Sequence, residues 1–217
     1  MMADINTLIA LDNQHEDKSH PLISIITVVY NGVKTIEQTI QSVINQSYPN
    51  KEYIIIDGGS KDGTVDIIKK YSSHLAYWVS ESDNGIYDAM NKGIGHAKGE
   101  LIGIINADDW YEKNIFTHIA KQYIESGSDH VIYGILRIFQ DDEFYSMVGN
   151  SIRILNEDTI MHPTCFIPLK FYRTFGIYNL AYKYSADFDL ILRFVKAGVK
   201  FSFIEKPIAN FRRGGIS

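Results

Sequence analysis

Leu22-Ile-Ser-Ile-Ile-Thr-Val-Val-Tyr30 runs straight into Asn31-Gly32, and the rest of the chain is organised around what that run must be. It is β-branched and almost continuously apolar, as a strand covered on both faces requires. Asn31-Gly32 breaks it, and Val33, Ile36, Ile40, Val43 and Ile44 then recur at helical spacing up to the Tyr48-Pro49 stop. The pattern repeats downstream. Tyr53 to Ile56 predicts a second strand, ended by Asp57-Gly58-Gly59-Ser60, with a helix from about Thr64 to Tyr71. Leu75 to Val79 predicts a third, followed by Asp83-Asn84-Gly85 and a helix over Ile86 to His96. Leu101 to Ile105 is the fourth, running into Asn106-Ala107-Asp108-Asp109. Four strand–helix alternations with short connections predict an α/β fold, a Rossmann-like domain with a mostly parallel central sheet. Ligands of such sheets bind beyond the carboxyl ends of the strands. Asp57, Asp83, Asp108 and Asp109 fall at those ends, and packing does not require four carboxylates there.

Beyond residue 110 the pattern is mixed. A helix is expected over Ile115 to Ser126, and two strands, His130 to Phe139 and Glu143 to Val148, around Gln140-Asp141-Asp142. A strand from His162-Pro163 to Ile167 should follow, then a helix through Phe171, a helix from about Ser185 to Lys196, and a last strand over Lys200 to Ile204. The expected organisation is a flexible tail over 1–20, with a weakly signalled helix at Ile5 to Leu11, and one domain over 21–217. Two halves divide it, about 21–110 and about 111–217.

Bulk composition narrows the function classes. The 217 residues are 45% hydrophobic and 22% charged, an ordinary balance for a globular protein with a full core. A net charge of -5 with mixed signs argues against a nucleic-acid binder, which shows a basic face. Cys165 is the one cysteine, so an intrachain disulfide and a multi-cysteine zinc site are both ruled out. The apolar runs are too short to cross a bilayer, and the first twenty residues lack the features of a signal peptide. A cytoplasmic protein is expected, with room for peripheral association at the inner face of a membrane through its substrate.

Each acidic stretch has a chemical and a structural meaning. Adjacent carboxylates at Asp108 and Asp109, leaving a buried strand, suit Mn²⁺ or Mg²⁺, hard cations that share oxygen ligands with substrate phosphates. The same residues suit a solvated turn, or the N-cap of a helix starting near Tyr111. Asp57 before glycines lets a flat ring approach the backbone and can accept from a ring N–H, although a glycine turn before a helix capped by Thr64 looks alike. Asp83 and the following helix start suit a ribose or phosphate, or a plain capped helix. Asp187 lies in the first turn of a helix with apolar Leu190, Ile191 and Phe194. It can deprotonate an acceptor hydroxyl or simply complement the helix dipole.

Thr27-Val-Val-Tyr-Asn31, Asp57-Gly-Gly-Ser-Lys-Asp-Gly-Thr64, Ser82-Asp-Asn-Gly-Ile-Tyr-Asp-Ala-Met-Asn-Lys-Gly93, Asn106-Ala-Asp-Asp109 and Ala186-Asp-Phe-Asp-Leu190 occur in that order. Together they resemble the family 2 glycosyltransferases with the A-type fold, over roughly Leu22 to Ser217. The resemblance implies an inverting transferase that takes a sugar from a nucleotide-sugar donor, commonly a UDP-sugar. The acceptor is a saccharide or lipid-linked saccharide, in cell-surface polysaccharide or lipid-linked oligosaccharide synthesis. Thr27, Val29, Tyr30, Asn31, Asp57 and Gly58 would cradle the nucleobase, with Asp83, Asn106 and Ala107 on the nucleoside. Asp108 would hold the metal and Asp187 would be the base. Asp109, His162, Arg212 and Arg213 are candidate diphosphate or acceptor contacts, the arginines on a terminal loop over Phe211 to Ser217. Asn106 departs from the family's first aspartate and Ala186 from its common glutamate. A sugar nucleotidyltransferase is disfavoured because Tyr30-Asn31-Gly32-Val33 replaces a basic, glycine-rich phosphate loop. A noncatalytic nucleotide-sugar-binding domain stays open.

Overall fold

The computed structural model describes residues 20–149 and 160–214. The tail, its helix at Ile5 to Leu11, and the end of the terminal loop lie outside them. In chain order the elements are β1 (Ile23–Val29), α1 (Ile36–Ile44), β2 (Lys51–Asp57), α2 (Thr64–Lys70), β3 (Tyr77–Ser80), α3 (Ile86–His96), β4 (Leu101–Asn106), β5 (Trp110–Tyr111), α4 (Ile115–Glu125), β6 (His130–Gln140), β7 (Glu143–Val148), β8 (Phe166–Pro168), α5 (Leu169–Phe175), α6 (Ala186–Lys196) and β9 (Lys200–Arg212).

One mixed sheet carries them, in the order β3-β2-β1-β4-β8-β6-β9-β5, with β7 paired to β6. The first four strands are parallel. Every residue of β1 is buried, which is why its sequence does not alternate. Period-two geometry still sorts its side chains. Ile23, Ile25 and Val29 join Ile36, Ile40 and Phe116 in one core layer, whereas Ile26 and Val28 join Met90, Leu190 and Phe194 in the other. Each fully buried isoleucine contributes about 1.5–3 kcal/mol of transfer free energy. The second layer needs a close helix approach, and Gly93 of α3 provides it: a Cβ there would stand 2.4 Å from Cγ2 of Ile26.

β8 pairs antiparallel with β4 and β6, joining the parallel half to the rest. β6 and β9 then run parallel along most of their length. Four boundaries differ from expectation. The third strand starts two residues late, because Ser72–His74 forms a 3₁₀ turn that delays it. His162–Thr164 is likewise a 3₁₀ turn, which confines β8 to three residues between prolines. Trp110 and Tyr111 begin no helix; they pair as β5 with Asn210 and Ala209. The last strand does not stop at Ile204. It continues to Arg212 because shifts in register around Gly134, Ile135 and Leu136 absorb Glu205, Lys206 and Ile208, and Pro207, opposite Ile135, is tolerated where the ladder is irregular. Phe211 and Arg212 are therefore strand residues and not part of a terminal loop.

Candidate active site

The loops after β1 and β2 are laced together by polar contacts. Asn31 sits in the left-handed region at φ 51°, a conformation that asparagine tolerates. Its N–H donates to Ser60 Oγ at 2.7 Å, and its Oδ1 accepts from the Lys61 N–H at 3.0 Å. Gly32 N–H donates to Thr64 Oγ1, and Val33 N–H to Asp62 Oδ2. Asp57 organises this loop from within. It is fully buried, and its Oδ2 accepts from the Gly59 and Ser60 N–H groups and from the Ser80 hydroxyl, while Oδ1 accepts from the Ser60 hydroxyl. A buried carboxylate requires such compensation. Both oxygens are therefore engaged within the protein.

Asp83 and Tyr30 occupy the exposed side of that loop. A Cβ on Gly58 would come within 2.6 Å of Asp83 Oδ2 and 3.4 Å of the Tyr30 ring, so glycine is what lets the two approach. Gly85 N–H holds Asp83 Oδ1 at 2.9 Å. Tyr30 is 59% exposed, leaving a ring face open beside a carboxylate. Thr27 and Val29 do not join them as side chains. Thr27 is buried with its hydroxyl on the Tyr53 phenol, and Val29 packs in the core.

The second acidic loop leaves β4. Asp109 N–H bonds to the Asn106 carbonyl, and the Thr39 hydroxyl bridges the Ala107 and Asp109 carbonyls at 2.9 and 2.6 Å, which closes the turn. Its two aspartates diverge. Asp109 is fully buried; its Oδ1 accepts from the Arg212 N–H at 3.1 Å, and its Oδ2 is buried without a partner. Burial, then the charge of Asp108, push the Asp109 carboxyl well above its usual range, against the pull of Arg212. Asp108 is half-buried and raised by the same loss of solvent, again opposed by Arg212. Asn106 Oδ1 is also buried without a partner.

These donors fit a hard divalent cation of one kind. Among the described residues no three His, Cys, Asp or Glu side chains gather, so a closed all-protein cage is absent there. Asp108 offers one accessible carboxylate, next to orphaned oxygens of Asn106 and Asp109. That suits an ion held by one or two carboxylates and completed by substrate phosphates and water. The arginines separate. The Arg212 guanidinium stacks on Trp110 at 5.2 Å and bonds to Gln38 and Asp142, beside the acidic loop. Arg213 is committed to the β6–β7 hairpin through Tyr145, Gln140 and the Phe139 carbonyl.

Asp187 stands in the first turn of α6. The Tyr87 hydroxyl donates to its Oδ1 at 3.0 Å. Tyr178 stacks on Tyr87 at 5.5 Å between ring centroids, and its hydroxyl meets His162 Nε2 at 2.5 Å. Burial holds the His162 imidazole below its ordinary range, while the Asp187 charge pulls the other way. Asn91, one turn after Tyr87, clamps both the N–H and the carbonyl of Tyr178. Sequence reasoning gave Tyr87, Tyr178, Asn91 and Thr39 no role of their own; the contacts from Thr39 to the acidic loop and from Asn91 to Tyr178 span 68 or more residues. Tyr111 is a core residue, whereas Tyr184 is 74% exposed.

A Rossmann-like sheet with a ring-and-carboxylate pocket, an acidic strand end and a separate carboxylate on a helix start defines the class of nucleotide-sugar transferases with the A-type fold. Residues 24–187 match the family described as Glycosyl transferase family 2, and the chain belongs to that family. It is 32% identical over 184 residues to an uncharacterized glycosyltransferase, Rv1514c, of Mycobacterium tuberculosis, covering 81% of this chain and 69% of that one. To the PGL/p-HBAD biosynthesis glycosyltransferase Rv2957 of the same organism it is 28% identical over 203 residues, covering 91% and 79%. Among solved structures, S. aureus TarS 1-349 in complex with UDP-GlcNAc superposes with a TM-score of 0.73 at 17% identity over 90% of this chain. Mannosyltransferase PcManGT from Pyrobaculum calidifontis, in complex with GDP-Man and Mn²⁺, gives 0.65 at 18% over 87%. The chain spans 60% and 55% of those two solved chains, and at such identities the likeness is one of fold.

Proposed function

We propose that this chain transfers a sugar, with inversion, from a nucleoside-diphosphate sugar to the hydroxyl of a saccharide or lipid-linked saccharide. The observation that carries the proposal is a single stretch, 83–91. It places Asp83 against Gly58 and Tyr30 at one end, and Tyr87 on Asp187 at the other. Residues of about 21–110 hold the donor: Tyr30 and Gly58 take the base, Asp83 and Asn106 the nucleoside. Residues of about 111–217 face the acceptor.

Asp187 takes the proton from the acceptor hydroxyl through the oxygen that Tyr87 leaves free. The acceptor oxygen bonds to the anomeric carbon as the bond from that carbon to the diphosphate breaks. Asp108 is the residue that would hold Mn²⁺ or Mg²⁺, which when bound supplies charge compensation for the departing diphosphate. Arg212 lies close enough to that loop to add positive charge, and His162 supports the acceptor side through Tyr178. A UDP-sugar is the first donor to try, since a structural neighbour binds UDP-GlcNAc. No helix among the described residues is long and apolar enough to cross a membrane. Contact with a membrane is proposed through the acceptor.

The test is Asp187→Asn. Calorimetry with UDP and Mn²⁺ should give unchanged affinity, while transfer drops by roughly two to four decades, the scale of a lost general base. Undiminished transfer in the variant removes Asp187 from this role. Tight nucleotide-sugar binding by the unaltered chain, with no turnover across a panel of donors and acceptors, would instead make it a binding module.

A further inference from the structure

We infer that Tyr87 is a positioning residue: its hydroxyl fixes the carboxylate of Asp187 and ties the base to the loop that holds the donor. The inference rests on the reading of Asp187 as the base. Three observations carry it. The Tyr87 hydroxyl donates to Asp187 Oδ1 at 3.0 Å across 100 residues of sequence, so the contact is made by the fold and not by local geometry. Tyr87 itself cannot swing. Its ring stacks on Tyr178 at 5.5 Å, and Tyr178 is pinned at both backbone groups by Asn91 of the same helix. The start of that helix is locked in turn, because Asp83 Oδ1 accepts from the Gly85 N–H and Asp88 Oδ2 from the Asn84 N–H.

One rigid piece of chain therefore reaches the donor pocket through Asp83 and the base through Tyr87. With Oδ1 occupied by a fixed donor, Asp187 can rotate little about its carboxyl bond, and Oδ2 is the oxygen left for the acceptor proton. The Tyr87 phenol remains protonated in any ordinary buffer, since burial and then the Asp187 charge push it up to about 12. Among the described residues, the titratable groups packed around Asp187 are Tyr87 from α3, His162 and Cys165 from the 3₁₀ turn and its end, and Tyr178 from the loop between α5 and α6. Asp189, on the same helix, is engaged by Arg193.

Tyr87→Phe keeps the ring and its stacking while deleting the donor. With UDP-N-acetylglucosamine and GDP-mannose as donor probes, the KM for donor should hold and kcat should drop roughly tenfold. In an Asp187→Asn background the Tyr87→Phe change should cost nothing further. An unchanged kcat in the variant, or equal losses with and without Asp187, would overturn the inference. Should Asp187→Asn itself leave transfer intact, the assignment of the base has failed, and that result is separate from a normal Tyr87→Phe profile in an enzyme that does need Asp187.

Discussion

At the scale of single residues, the two adjacent acids after β4 have opposite lives. Asp109 is sealed in and tied to the last strand, whereas Asp108 keeps an open side. Asp108→Ala should therefore abolish the strengthening of UDP binding by Mn²⁺ while leaving metal-free binding unchanged. Calorimetry with and without Mn²⁺ decides this, and an intact Mn²⁺ effect would move the metal elsewhere. His162 makes a second prediction. Unfolded, the imidazole takes its proton near pH 6.5, but folded it does so only at lower pH because burial holds it down. The folded form thus binds fewer protons in that window, so its stability is complete above about pH 6.5 and is lost as the pH falls. His162→Gln should flatten this acid-side loss in urea midpoints taken from pH 5 to 7.5; parallel curves for the two proteins would count against it. Asp108 was legible in the sequence because a carboxylate directly after an apolar strand is conspicuous. The engagement of Asp57 was not, since its partners come from two places, Ser60 in the loop after β2 and Ser80 at the end of β3.

Whole elements were read well where burial imposes a pattern. The run Leu22 to Tyr30 and the helix Ile86 to His96 have apolar spacings that few alternatives satisfy, and the structure has them as β1 and α3. The elements missed are those whose pairing is set from afar. β5 is two residues long and exists because β9 lies beside it; β9 itself passes through Glu205-Lys206-Pro207, which reads locally as a stop. The packing of α3 on β1 gives a quantitative prediction. Gly93→Ala gains up to about 1 kcal/mol of helix propensity. Against that, its new methyl meets Ile26, a β-branched side chain with no exposure and no room to turn, and overpacking costs about 1–3 kcal/mol. The overlap wins, and the melting temperature should fall by several degrees. A variant as stable as the parent would show that the helix can slide outward.

Across the whole molecule, β8 stitches the parallel half to the mixed half through one continuous sheet, and two core layers run along it. Thermal unfolding should accordingly be a single transition. UDP with Mn²⁺, at a hundred times its dissociation constant, should stabilise the fold by about 2.7 kcal/mol and shift that transition as a unit by roughly 5–10 °C. Two transitions of which only one responds to UDP would mean that residues 21–110 fold alone. Much of this unity depends on distant pairings. The N–H of Arg212 reaches Asp109 across 103 positions, in the same patch where Trp110 meets Asn210. During translation, then, the loop bearing Asp108 leaves the ribosome about a hundred residues ahead of the strand that holds its neighbour, and it acquires its final form only once β9 has emerged.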